Sequence, residues 1–350
     1  MTWLNRLEGI EELEDARLDP ALVAEMERAS EAVAGDAAAR PIRFSTPTFK
    51  AYASTELKGC AKDSFPAFSI TAGGCALMCD HCQAKILEPM IPATNPAMLD
   101  QKVRDLILLQ DLRGFLLSGG SNRRNEINYE RFYPVIEGLK RDFPHLKIAI
   151  HTALTDRRGA RLMASAGVDT AMMDVIGAEE TIRQVYHLER PVDDFEATLD
   201  ALCATSMEIV PHVVIGLHYG RILGEYAALD IVARHAVEAL VLVVVMPFYA
   251  APGTFMTPET PEIGRLFLAA RRRLADRRVL LGCARPAGLH KRETDSYAVM
   301  AGLDGIAFPA DGIVAVAEAI GRPYLQEHAC CSIKIGAAPA AGSTAACGAP

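Results

Sequence analysis

The chain has no surplus of basic charge. Its 36 Lys and Arg residues are outnumbered by 44 Asp and Glu, for a net charge of −8 and a pI near 5.7. No Lys/Arg stripe breaks that balance, so duplex nucleic acid and anionic membrane are poor candidates for a partner. A run of membrane-spanning length is also missing. The longest apolar stretch, AVEALVLVVVMPFYAAP over 236–252, is short, Val-rich and broken by Pro247, and reads as strand. The opening MTWLNRLEGIEELEDARLD is acidic and lacks the apolar segment of a secretory leader. No internal repeat is visible. These absences together predict a soluble cytoplasmic protein.

What is present begins with size. Half of the 350 residues are hydrophobic, enough for a large core in one or two domains. There are nine cysteines. Cytosolic thiols stay reduced, so clustered cysteines favour metal binding or catalysis over disulfides.

Residues 11–35 are rich in Ala, Glu and Leu and read as helix. The stretch RPIRFSTPTFKAYASTELKGCAKDS reads as extended or looped. From Phe65 short β-branched or apolar runs alternate with helical patterns. The runs cover 65–71, 114–120, 147–152, 168–177, 208–217, 239–248, 278–284 and 304–309. Helix candidates include 98–110, 129–142, 193–204, 222–237 and 258–275. Strand–helix alternation implies a parallel sheet, and eight such units over roughly 250 residues suggest a (β/α)8 TIM-type barrel. A doubly wound open sheet competes with it. The expected division is an N-terminal helical and extended wrap over 1–64, the barrel over 65–320, and a tail over 321–350 that caps the barrel. The Ala/Gly/Pro-rich end of that tail is expected to be disordered.

Three cysteines sit in AGGCALMCDHCQAK as Cys75, Cys79 and Cys82, directly after the first strand. In a parallel barrel that loop lies at the carboxyl face, where active sites sit. Structural zinc wants four ligands, usually as two C-x2-C pairs, and no second pair of that kind exists. Three cysteines can instead hold three irons of a 4Fe-4S cube and leave the fourth iron open. The alternative is a zinc site or an incidental cysteine loop.

The C-x3-C-x2-C spacing after the first strand of a β/α barrel resembles the radical S-adenosylmethionine superfamily. That resemblance implies that the methionyl amino and carboxylate groups of S-adenosylmethionine chelate the open iron. An electron from the cluster then cleaves the sulfonium, and a 5′-deoxyadenosyl radical abstracts hydrogen from an unactivated C–H bond. His81 stands where the superfamily often has an aromatic residue. LLSGG, with Ser118, Gly119 and Gly120, resembles the Gly-rich motif that seats the methionyl amino group, although the usual acidic residue is replaced by Ser121; a plain βα turn is the alternative. GLHYGRILGE resembles the G-x-I-x-G element near the adenine, through Gly220, Ile222 and Gly224. Asp174, at the end of the fourth strand, is a candidate for a ribose hydroxyl or a helix cap. His151 and His212 end inner strands, as buried hydrogen-bonded histidines or as lining of the cofactor cavity.

Six cysteines remain. Cys203 reads as a buried thiol on a helix and Cys347 as idle. Cys60, Cys283, Cys330 and Cys331 are candidate ligands of an auxiliary 4Fe-4S cluster, with Ser332 as an alternative. The contrary reading makes them loop, core and exposed thiols, and exposed vicinal thiols are an oxidation liability.

The order of motifs from Phe65 to Ala319 resembles the biotin-synthase-like group, in which an auxiliary cluster donates sulfur. Biotin synthase has cysteines where this chain has His151 and His212. The single-protein lipoyl synthase has an N-terminal three-cysteine motif where this chain offers only Cys60. The closest resemblance, which includes the CCS tail, is to the two-protein lipoyl synthase of archaea and some bacteria. It implies a radical SAM sulfurtransferase acting on an octanoylated lipoyl-carrier protein, in lipoate biosynthesis. A second synthase subunit and an electron donor such as ferredoxin or flavodoxin would be its partners. A biotin-synthase-like or other radical enzyme acting on a small metabolite is the second reading. An iron–sulfur carrier without turnover is the third.

Overall fold

A computed structural model describes residues 2–32, 40–46, 54–57, 65–109, 112–327 and 332–333. Eleven strands occur in chain order: β1 (Ile42–Ser45), β2 (Ala67–Ser69), β3 (Ile91–Pro92), β4 (Gly114–Ser118), β5 (Lys147–His151), β6 (Thr170–Asp174), β7 (Glu208–Ile215), β8 (Ala239–Val244), β9 (Arg278–Leu281), β10 (Gly305–Ala307) and β11 (Tyr324–Glu327). All pair in parallel, in the order β11-β1-β10-β9-β8-β7-β6-β5-β4-β2-β3. The sheet curls into a half-barrel. Among the described residues no pairing joins β3 to β11, so the expected closure into a barrel of eight strands is replaced by an open sheet of eleven.

The eight expected strands are all present, as β2 and β4–β10, each beside the next. The additional three are short. β1 lies in the stretch read as extended or looped, and it sits between β10 and β11. Its two parallel partners satisfy a backbone whose own sequence carries no periodic signal.

Continuous β-branched runs make the central strands. ALVLVV of β8 is buried on both faces because helices cover one side and the curl encloses the other. Leu240 and Leu242 join the layer under the helices. Val241 faces inward with Ala149, Met172, Val210 and Leu280. The connecting helices start at chemical signals. Asn95 Oδ1 accepts from Met98 N at 2.9 Å ahead of Pro96–Leu109, and Asp156 Oδ1 accepts from Gly159 N at 2.7 Å ahead of Arg157–Ser165. The N-terminal extension docks on the helix Leu289–Met300: Arg17 N donates to Glu293 Oε1 at 2.8 Å and Asp19 N to the Tyr297 hydroxyl at 2.6 Å. No helix among the described residues is long and apolar enough to cross a membrane.

Candidate functional site

The cysteine loop follows β2 and is held in a conformation its residues do not choose. Ala72, Met78, Gln83 and Ala84 all have positive φ, between 45° and 61°. Side chains with a Cβ rarely adopt that region, and such residues cluster where surroundings impose a functional geometry. The imposing contacts come from the LLSGG turn. Ala76 N donates to Ser121 O at 2.9 Å and the Cys75 thiol to the same oxygen at 3.7 Å. Gly120 N donates to Thr71 Oγ1 at 2.7 Å. A Cβ on Gly120 would lie 2.0 Å from Gly74 O and 2.6 Å from Cys75 Cα. Only glycine lets β4's turn approach the cysteine loop this closely.

The far side of the loop is tied as firmly. Asp80 N donates to Val185 O at 3.0 Å. The Asp80 carboxylate pairs with His187 Nε2 at 2.8 Å and accepts from the Tyr219 hydroxyl at 2.9 Å. Tyr219 belongs to the GLHYGRILGE loop after β7. In that loop Gly220 has φ +93°, and a Cβ there would sit 2.3 Å from Met256 O. Ile222 packs partly buried against the core. The buried Glu225 carboxylate fixes the loop by accepting from Gly216 N at 2.7 Å, Leu223 N at 2.8 Å and Gly224 N at 3.0 Å. A cavity of about 420 Å³ opens here, lined by Gln184, His218, Tyr219, Arg221 and Met256 among others.

Cys79 is buried and Cys82 half-buried. Burial pushes both thiols up, Cys82 to about 11, and each also feels the charge of a neighbouring cysteine. Thiols that repel one another in a buried loop with no cation suit a bound positive centre that would draw off their protons. Among the described residues no three His, Cys, Asp or Glu side chains converge on a single ion. Three thiol donors on one loop are a donor set that fits a multi-iron cluster, in which each thiolate would take its own iron.

The lumen beside this loop has two walls. On one, Ser118, His151, Asp174 and His212 stand one inward position beyond Leu116, Ala149, Met172 and Val210. His151 Nε2 lies 3.7 Å from Asp174 Oδ1, and the His151 and His212 rings meet edge to face at 5.3 Å. Both His151 and Asp174 keep about a third of their side-chain surface open. Burial would raise the Asp174 carboxyl; the imidazoles of His151, His212 and His81 outweigh it and hold it down to about 2. Burial, with the His151 charge, lowers His212 to about 4. His212 is neutral at pH 7, and its Nδ1–H donates to Val210 O at 3.2 Å. Behind Asp174, His81 stacks on Tyr186 at 5.2 Å, and His81 Nδ1 and the Tyr186 hydroxyl are buried without a hydrogen-bond partner. The second wall adjoins the first: Val214, two residues beyond His212 on β7, pairs with Val243 of β8.

The structure thus gathers Cys75, Cys79, Cys82, Gly119, Gly120, His151 and Asp174 at one face, with the Gly220 loop beside them. Asp174 is no helix cap, since the following helix Glu179–Val185 is capped at Ala178. Cys283 lies just beyond β9 at the same end, close enough to the Tyr249 phenol for its charge to raise it, after burial. Cys60, Cys330 and Cys331 fall outside the described residues. Arg285 nearby is buried, with all its donors spent inside the fold. Tyr186, Asp80 and Tyr219 went unnoticed in the sequence, because nothing local marks a residue whose partners lie far along the chain; Glu225, which holds its own loop, went unnoticed as well.

No protein-family profile matches the sequence, and no curated protein matches it. Solved structures do. HydG, a maturase of the FeFe-hydrogenase, superposes with a TM-score of 0.61 at 11% identity, over 93% of this chain and 75% of that one. Methylornithine synthase (PylB) gives 0.53 at 12% identity, over 87% and 85%. HydG from Carboxydothermus hydrogenoformans gives 0.52 at 13% identity, over 88% and 67%. At these identities the likeness establishes a shared fold, the curled parallel half-barrel.

Proposed function

We propose that the chain is a radical S-adenosylmethionine enzyme that inserts sulfur into a protein-bound octanoyl group to form lipoyl, as one subunit of a two-protein lipoyl synthase. The observation that carries the radical reading is the contact of Gly120 with Gly74 and Cys75, which clamps the three-cysteine loop beside the polar wall. Cys75, Cys79 and Cys82 would hold the 4Fe-4S cluster. When bound, the cluster and S-adenosylmethionine supply one-electron chemistry able to break an unactivated C–H bond. Ser118, Gly119 and Gly120 seat the methionyl end. Asp174, kept ionised by its histidines, accepts from a ribose hydroxyl, and the Gly220–Ile222 loop borders the base. Val214 and Val243, beside His212, give an alkyl chain an apolar surface next to these polar groups.

Sulfur insertion needs a sulfur source. Cys283, with Cys60, Cys330 and Cys331, is proposed to hold an auxiliary 4Fe-4S cluster that is consumed. The carrier protein, a second synthase subunit and a ferredoxin or flavodoxin are the proposed partners. Iron and labile sulfide after anaerobic reconstitution test this reading. About eight irons per chain, falling to about four when Cys75, Cys79 and Cys82 are all changed to Ala, are expected. About four irons falling to none would remove the sulfur donor. The second reading, a radical enzyme acting on a small polar metabolite, would then stand, and the His151, Asp174 and His212 wall favours it.

A further inference from the structure

The tail of the chain enters the half-barrel. β11 runs parallel to β1, so Glu327 lies at the carboxyl ends of the strands, level with Ser45. Six residues later Ile333 is 4% exposed, and Ser332 before it is 2% exposed. Ile333 belongs to the cluster of inward side chains that includes Ala149, Met172, Val210, Val241 and Leu280. These come from five neighbouring strands, β5 to β9. In a parallel barrel the strands' own side chains usually fill such a layer. Here the layer holds small residues, Ala149, Ala239, Val210 and Val241, beside Met172 and Leu280, and Phe65 and Ile333 from outside the strands complete it.

The layer above is the reactive one. His151, Asp174, His212 and Val243 each lie two residues beyond a member of the Ile333 layer, which on a strand is about 7 Å towards the loop face. An acyl chain tethered to a carrier protein must enter from the loop face with its methyl end leading. The distance from the level of Asp174 to Ile333 then limits how many carbons extend beyond the one that reacts.

We propose that Ile333 is the floor of the substrate chamber and sets the length of acyl chain that it admits. This rests on the acyl-carrier reading of the function. Ile333→Ala removes three heavy atoms at the floor and makes room for about two further methylenes.

The test uses the full reconstituted chain, with octanoyl and decanoyl carrier proteins as competing substrates. The wild type should prefer octanoyl, and Ile333→Ala should reduce that preference roughly tenfold. Ile333→Val should shift it less, in the same direction, and serves if the alanine variant is poorly folded. Benzene binding, read as a rise in thermal midpoint, is measured in parallel and needs no turnover. The alanine variant should gain it, because a new apolar cavity stays dry and accepts such a probe. An unchanged chain-length preference with octanoyl turnover retained, or no gain of benzene binding, would overturn the proposal. A wild type inert on every acylated carrier would instead overturn the acyl reading and the length claim with it.

Discussion

Gly120 touches Cys75: the Cβ that Gly120 lacks would stand 2.6 Å from Cys75 Cα and 2.7 Å from its Cβ. The obstacle is backbone, which cannot swing aside as a side-chain end can. Gly120→Ala should therefore push the cysteine loop out of register while leaving the strands intact. Iron content after reconstitution should fall, and S-adenosylmethionine cleavage should drop by about a hundredfold, the scale expected of a displacement near 1 Å. Circular dichroism would stay that of the wild type. Normal iron and normal cleavage in this variant would show that the loop does not depend on the turn.

Tyr219 is the other hand on that loop. Its hydroxyl donates to Asp80 Oδ2 at 2.9 Å and lies 3.0 Å from Gln184 O. Tyr219→Phe removes one charge-assisted hydrogen bond at a partly open site, worth about 1 kcal/mol. If that energy holds the Gly220 loop against the cysteine loop, then under the proposed function affinity for S-adenosylmethionine should fall roughly fivefold. Equilibrium binding reads it directly, and Asp80→Asn should match it in size.

These two contacts also mark where sequence reading reaches and where it stops. Cys75, Cys79 and Cys82 stand out in the sequence because three thiols lie within eight residues, but the contacts that hold their loop do not. The strands β2 and β4–β10 were legible because each is an apolar run between turn signals. β1, β3 and β11 were not, since two to four residues carry no measurable period and gain their order from partners far along the chain. For the same reason the openness of the sheet was hidden: closure is a property of which edges meet, and no local pattern states it. Tyr186 and Asp80 act through neighbours far along the chain, so their types alone could not announce them.

His212 makes stability depend on pH. Its ring titrates at about 4 in the folded chain, against an ordinary 6.5, because burial and the His151 charge disfavour the cation more than Asp174 favours it. Between these values the unfolded chain takes up a proton that the folded chain refuses. The stabilisation is complete above about pH 6.5 and is lost as pH falls towards 4. Asp174 acts in the same direction lower down, from 3.8 towards about 2. His212→Gln should flatten the thermal midpoint between pH 6.5 and 4, and Asp174→Asn should leave most of that slope in place. An unchanged slope in His212→Gln would assign it to another group.

Arg285 and Asp295 form an ion pair with both side chains fully buried. Arg285 Nε donates to Asp295 Oδ1 at 2.6 Å, and its Nη2 donates to Oδ2 at 2.9 Å and to Phe308 O at 3.0 Å. Nη1 donates to Gly282 O at 2.7 Å and Ala307 O at 2.9 Å, so five contacts use the whole fork of the guanidinium. Asp295 Oδ2 also accepts from Ala310 N at 2.8 Å. The pair thus joins the ends of β9 and β10 beside Cys283. Asp295→Ala leaves a guanidinium buried without its counter-charge and should cost about 3–5 kcal/mol. Arg285→Lys keeps the charge, but a single ammonium with three donors cannot reach five acceptors set out for a planar fork, so it should fail to rescue stability. The exposed pair of Arg124 and Glu126 is the control, and Arg124→Ala should cost less than about 1 kcal/mol. Urea midpoints of the three variants decide the matter. If Arg285→Lys matched the wild type, the fork geometry would be dispensable and charge alone would join the two strand ends.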